Sequence, residues 1–181
     1  CWIEILNHVE NSILWLFEDN PVASRNLRKE ADNRGVNANR IVFAKRMELP
    51  DHLARHKVAD LFLDTFPYNA HTTASDALWA SLPLLTLQGQ SFASRVAASL
   101  LQNLDLPELI TNSIDEYKFK AIELGRNPEL LGKIRNKLSI NRTSSPLFDG
   151  KLFAVHLESA FEQMHARYTL NQPPKHIFVQ R

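Results

Sequence analysis

The chain has 181 residues, with 21 Lys and Arg against 20 Asp and Glu, for a formal charge of +1. A length of this order builds one domain, or one and a fraction, whose core needs no disulfide or metal. The charge balance argues against broad binding to nucleic acid or anionic membrane. The single cysteine, Cys1, excludes an internal disulfide framework and suits a reducing, cytoplasmic compartment, and five glycines in all argue against a glycine-rich phosphate loop.

Residues 2–9 (WIEILNHV) set Ile3, Leu6 and Val9 at helical spacing. The opening CWIEILNHVENS has no initiator Met and no basic segment, so it reads as a start inside a helix and not as a signal peptide. Residues 12–17 (SILWLF) are a short apolar run with aromatic members, read as a buried strand. Residues 22–34 are polar and rich in helix formers, and Gly35 stands where a glycine closes a helix. Residues 40–44 (RIVFA) read as a second strand. Pro50 opens a short helix, PDHLARHKVA, because proline is accepted at the first helical position. Residues 60–63 (DLFL) form a third strand, followed by the loop DTFPYNA and a helix over 72–81. Residues 83–87 (PLLTL) form a fourth strand, and the turn QGQ leads into the helix SFASRVAASLLQ. Residues 109–111 are a short fifth strand, and Ser113 with Glu116 matches a capping box for the next helix. Helices follow near 128–141 and 149–168, and residues 169–181 read as a loose tail behind a domain spanning 1–168. Trp15, Phe17, Phe62, Trp79 and Phe92 are expected in the core, and Arg25, Arg28 and Lys29 on a solvated helix face. The longest uncharged run, between Asp76 and Arg95, contains Pro83, Gln88, Gly89 and Gln90 and does not read as a membrane span.

Strands alternating with helices indicate an α/β fold with a parallel sheet. Such sheets bind ligands beyond the carboxyl ends of their strands. Those ends are the loops near 18–22, 45–50, 64–72 and 88–91. The loop after DLFL ends at a helix N-terminus, where free N–H groups and the helix dipole favour an anion. His71, Thr72 and Thr73 add three side-chain donors there, a phosphate cradle without glycines. Thr73 and Asp76 also match the capping-box pattern, which explains them with no ligand. His52 and Arg55 lie three apart on one helical face near another strand end, within reach of a base or ribose. They also read as ordinary surface residues of a helix start. His52 and His56 are four apart, a metal-ligand spacing, but the Glu of H-E-x-x-H and a third ligand are lacking, so no metal is expected.

A competing motif is Gly89-Gln90-Ser91-Phe92-Ala93, which resembles a G-x-S-x-G nucleophile elbow with its second glycine replaced. Asp149 and His156 follow in hydrolase chain order, but both fall on or beside one terminal helix. The simpler role for Ser91 is to cap the following helix.

The stretch DLFLDTFPYNAHTTASDALWASLPLLTLQGQSFASRVAASLL resembles the carboxyl-terminal catalytic lobe of the O-linked N-acetylglucosamine transferases, a family that includes the SPINDLY-like fucosyltransferases. SILWLF upstream and INRTSSPLFDGKLFAVHLESAFEQMHARY downstream are similar too, so the resemblance covers nearly the whole chain. It implies a Rossmann-like, nucleotide-binding lobe of GT-B architecture with C-terminal helices. By position, His71, Thr72 and Thr73 would bind the donor diphosphate and Asp76 the ribose. His52 and Arg55 would serve the base, and Tyr68 and Asn69 would line the sugar side of the cleft. The resemblance further implies an inverting, metal-independent reaction with UDP-N-acetylglucosamine, or alternatively GDP-fucose, as donor and protein Ser or Thr hydroxyls as acceptors. No cofactor, nucleic acid or membrane is expected. A family lysine that helps bind the nucleotide falls at Leu49 here. The family's first strand of this lobe, its amino-terminal lobe and its tetratricopeptide repeats would precede Cys1, so the chain alone is expected to lack turnover. A non-catalytic nucleotide-binding module is the reading from another class.

Overall fold

The computed structural model of the chain describes residues 1–179. Helix α1 (Trp2–His8) precedes strand β1 (Leu14–Phe17), and helix α2 (Pro21–Asn33) precedes strand β2 (Ile41–Ala44). α2 begins at Pro21 because its ring needs no intrahelical partner for nitrogen, and the Asn20 side chain accepts from Ala23 N at 2.7 Å. Gly35 follows its end with φ of 78°, the left-handed conformation glycine adopts freely. Helix α3 (Leu49–Arg55) leads through a short 3-10 turn, His56–Val58, to strand β3 (Phe62–Leu63). Helix α4 (Thr72–Trp79), strand β4 (Leu84–Leu87), helix α5 (Val96–Asn103) and strand β5 (Ile110–Thr111) follow. Helices α6 (Ile114–Arg126), α7 (Pro128–Ser144) and α8 (Gly150–Thr169) complete the order.

Pairing is parallel between β1 and β2, between β3 and β4, and between β4 and β5. The expected α/β architecture is present with one refinement: the strands form two hydrogen-bonded groups, β1–β2 and β3–β4–β5, in place of one sheet. A doubly wound order sets a strand between two such groups. Here an apolar cavity of about 340 Å³ lies between them, with Leu14 and Leu16 on one side and Phe66 on the other.

β4 is the middle strand of its group, and its side chains alternate between two cores. Leu84 packs with Leu78 of α4, Leu101 of α5 and Leu138 of α7, whereas Leu85 packs with Ile5, Val9 and Tyr117. Full burial of each such leucine contributes about 1.5–3 kcal/mol. A third cluster, Leu6, Ala31, Val36 and Ile41, backs β1 and β2. α1 therefore serves both strand groups, sending Leu6 to one core and Ile5 and Val9 to another. α1 meets α6 at Gly125, where an added Cβ would stand 2.9 Å from Val9 Cγ1. Arg40 anchors the chain after α1: its Nη2 donates to Leu6 O at 2.9 Å and Val9 O at 2.8 Å, and its Nε donates to Ser12 O at 2.8 Å.

Several local expectations are corrected. The helix read from Pro50 starts at Leu49 and gives way at His56. The helix read from Ser91 is interrupted: Ser91 and Ser94 cap each other across a 3-10 turn, Phe92–Ser94, and α5 starts only at Val96. Ser113 accepts from Glu116 N as expected, but the Glu116 carboxylate reaches Asn112 N, one residue before the cap. Four of the five aromatics assigned to the core are exposed: Trp15, Phe17, Trp79 and Phe92. Trp15 and Phe17 alternate with the packed Leu14 and Leu16 and so fall on the other face of β1. Arg28 is exposed, yet its guanidinium lies 4.9 Å over the Phe43 ring.

Candidate functional site

Asp64, directly after β3, organises the loop that leads into α4. It is 0% exposed. Its Oδ1 accepts from Thr65 N at 2.8 Å and Ala70 N at 2.7 Å, and its Oδ2 accepts from Thr86 Oγ1 at 2.6 Å. Tyr117, buried beneath, donates its hydroxyl to Asp64 O at 2.9 Å. Burial pushes the Asp64 carboxyl above the usual carboxylate range, while these hydrogen bonds and the His71 charge pull it back. Asn69 is 1% exposed and turns inward, with Nδ2 donating to Thr65 O at 2.9 Å and its backbone N–H to Ala93 O at 2.9 Å. The neighbouring turn requires glycine at 89. Gly89 N donates to Ser94 O at 2.9 Å, and a Cβ there would lie 2.5 Å from Ser94 Oγ.

The held loop delivers His71 to the N-cap of α4, with no side chain capping the helix. Thr73 thus lies inside the first turn, and the capping-box explanation of Thr73 and Asp76 falls. The first-turn N–H groups of α4 keep no protein acceptor among the described residues. The His71 ring stacks on Tyr68 at 5.0 Å and meets Phe92 edge-on at 6.0 Å. Its Nε2 is buried without a hydrogen-bond partner. Thr72 and Thr73 are exposed beside it, and Tyr68 is 65% exposed.

The second half of the site comes from α3. Arg55 Nη2 donates to His52 Nδ1 at 2.7 Å, and Arg55 Nη1 donates to Lys45 O at 2.9 Å. A guanidinium only donates, so His52 Nδ1 is the acceptor and the neutral ring carries its proton on Nε2. Burial lowers the His52 pKa, and the charges of His56 and Arg55 lower it further. The Asp76 carboxylate of α4 acts in the opposite direction. The Arg55 guanidinium also lies 5.8 Å from the Trp15 ring centroid. His71, Thr72, Thr73 and Tyr68 thus gather at the start of α4, with Asp76 one turn on and acting on His52 of α3, while Asn69 Nδ2 is bonded within the loop and its buried Oδ1 has no hydrogen-bond partner among the described residues.

Sequence reasoning gave Asp64 no role and assigned Trp15 and Phe92 to the core. A lone Asp after a strand carries no motif, and Phe92 shows its place only once the 3-10 turn is known. Ser91 shares a hydrogen bond with Ser94 Oγ at 3.0 Å, and Asp149 caps α8 by accepting from Lys151 N and Leu152 N. No hydrogen bond joins Ser91, Asp149 and His156 among the described residues, so the hydrolase arrangement is not assembled. No group of three or more metal-ligating side chains occurs among the described residues. No helix among them is long and apolar enough to cross a membrane.

Parallel strands, helices on both faces and an uncapped helix N-terminus at the strand ends define a Rossmann-like α/β domain. The chain belongs to glycosyl transferase family 41, whose sequence profile matches residues 1–157. It is 40% identical over 176 residues to the UDP-N-acetylglucosamine–peptide N-acetylglucosaminyltransferase of Caenorhabditis elegans, covering 97% of this chain and 15% of that protein. It is 35% identical over 179 residues to the probable UDP-N-acetylglucosamine–peptide N-acetylglucosaminyltransferase SEC of Arabidopsis thaliana, covering 98% and 18%. A solved O-GlcNAc transferase mutant of Thermobaculum terrenum superposes with a TM-score of 0.83 at 34% identity, covering 90% of this chain and 32% of that one. The chain thus spans less than a fifth of these two curated relatives. The family expected from HTTASD and ASRVAAS is correct, and so is the GT-B type of lobe.

Proposed function

We propose that this chain is the donor-nucleotide lobe of a protein O-glycosyltransferase using UDP-N-acetylglucosamine. The observation that carries the reading is the His71 imidazole at the uncapped N-terminus of α4, with a buried, partnerless Nε2. A diphosphate supplies acceptors for that nitrogen, for the Thr72 and Thr73 hydroxyls and for the free N–H groups. Asp76, one turn on, accepts from the ribose hydroxyls. His52 and Arg55 receive the base, and Tyr68 stands on the sugar side.

In the reaction an acceptor Ser or Thr oxygen attacks the anomeric carbon from the face opposite the diphosphate. The bond from that carbon to the phosphate oxygen breaks with inversion, and the hydroxyl proton leaves to a base outside this chain. Donors and the helix dipole stabilise the departing diphosphate in place of a metal ion. Protein acceptors are engaged by parts of the enzyme beyond this chain, in a cytoplasmic setting that suits its free, exposed Cys1. Leu49, where the resemblance sets a nucleotide-binding lysine, removes one contact from the proposed donor site, and GDP-fucose is the alternative donor.

Calorimetric titration of UDP and GDP into the wild-type protein and Asp76→Ala tests this. Loss of charge-assisted hydrogen bonds worth about 1.5–3 kcal/mol each predicts at least about tenfold weaker UDP binding by the variant. Preference for GDP would move the donor to GDP-fucose. A folded protein that binds neither nucleotide would sink the reading.

A further inference from the structure

The far end of α4 closes a second cavity, of about 480 Å³, lined by Leu53, His56, Lys57, Trp79, Arg135 and Arg142 among others. Its four ionisable lining residues are all basic, and no carboxylate lines it. Arg135 and Arg142 are seven residues apart and share one face of α7. Each is fixed to the end of another element through a single nitrogen. Arg142 Nη1 donates to Trp79 O at 2.9 Å, and Arg135 Nη2 donates to Ala59 O at 2.6 Å.

Both guanidiniums are only part-satisfied. The Nε atoms of Arg135 and Arg142 are buried with no acceptor. Among the described residues Arg142 and Lys57 form no ion pair, and the ion pair of Arg135 is with Asp60 at 3.8 Å, a side chain 85% exposed. A cation that has lost hydration without gaining a counterion is electrostatically unsatisfied, and an anion beside it offsets that cost. Trp79 is 46% exposed, with the Arg142 guanidinium 5.3 Å from its ring centroid and Phe148 edge-on at 5.2 Å. Trp79 and Leu53 form an apolar wall next to the charges. The volume falls in the ordinary range of about 300–1,000 Å³ for small-molecule sites.

We infer that this cavity binds a small organic anion. A phosphate or carboxylate is held by Arg142, Arg135 and Lys57, and an apolar or planar body lies against Trp79 and Leu53. The site stands at the opposite end of α4 from His71 and Thr72.

Calorimetry with 1-naphthyl phosphate and 1-naphthoate distinguishes the two oxyanion sources, with 1-naphthol and inorganic phosphate as half-ligands. Saturable one-to-one binding of either aromatic anion is expected, at least tenfold tighter than either half-ligand. Arg142→Gln should weaken it at least tenfold, and Thr72→Val should leave it unchanged. Lys57 is exposed and bonds to nothing that holds the fold, so Lys57→Gln keeps the test decisive if Arg142→Gln fails to fold; a loss of threefold or more is expected. No saturable binding by the wild-type protein overturns the inference. Binding that survives Lys57→Gln unchanged, or that Thr72→Val abolishes, overturns it as well.

Discussion

Thr86 Oγ1 donates to Asp64 Oδ2 at 2.6 Å, so a hydroxyl of the central strand β4 holds the carboxylate that in turn holds the Ala70 N–H ahead of His71. The position of the α4 N-terminus is thus set from within the sheet. Asp64→Ala strips acceptors from two backbone N–H groups and the Thr86 hydroxyl, and should cost about 2–4 kcal/mol. Asp64→Asn keeps an Oδ1 and should cost less. A carboxyl whose folded pKa is raised contributes stability that is present in acid and lost as pH rises through that value. The stability difference between wild type and Asp64→Asn, from urea denaturation, should therefore shrink from acid to neutral pH. A difference that grows instead would contradict the burial effect.

Thr72→Val preserves shape and removes one hydroxyl from the proposed diphosphate cradle. UDP should bind about tenfold more weakly, and uridine should change less than about twofold. Equal losses for the two ligands would show that Thr72 does not serve the phosphates.

The His52 imidazole should titrate below the ordinary value of about 6.5, chiefly because of burial, as followed by NMR. His56→Gln should raise the midpoint, and Asp76→Asn should lower it further. A lowered folded pKa means that the unfolded chain holds its proton more tightly. The contribution of His52 is then present above the ordinary histidine value and lost as pH falls. A midpoint above 6.5 would reverse the assignment.

Gly125 allows α6 to close on α1. Gly125→Ala should destabilise by about 1–3 kcal/mol, since its new Cβ meets Val9 Cγ1 at 2.9 Å. In a Val9→Ala background the same change should gain up to about 1 kcal/mol from helix propensity. The double-mutant cycle reads this reversal directly. Additive effects would mean that the helices do not meet there.

Arg40 supplies donors to Leu6 O, Val9 O and Ser12 O. Arg40→Ala should lose at least about 2 kcal/mol, and Arg40→Lys should recover less than half, because an ammonium lacks the planar fork. Thermal unfolding of the two variants measures the difference.

Hydrophobic runs and punctuation carried most of the fold. IVFA and LLTL were legible because parallel strands are covered on both faces, LWLF is covered only on its Leu14 and Leu16 side, and Gly35 marked the end of α2. What failed depended on partners distant in sequence. Nothing near Trp15 tells that its face of β1 stays exposed, and nothing near Trp79 tells that Arg142 will meet it. The site was legible as a strand end running into a helix with His71, Thr72 and Thr73 at its start. The role of Asp64 was not, because its partners Ala70 and Thr86 become neighbours only when β3 and β4 pair.

The division of the strands into two groups has a practical consequence. Among the described residues β1 pairs only with β2 and β3 only with β4, so each leaves one edge of backbone donors and acceptors without a strand. Such edges are templates for adventitious pairing. Association through this seam would be by backbone pairing and not by charge attraction. Raising salt, which screens charges, will not suppress association through it, whereas an extended apolar peptide that fills the seam should act as a solubiliser.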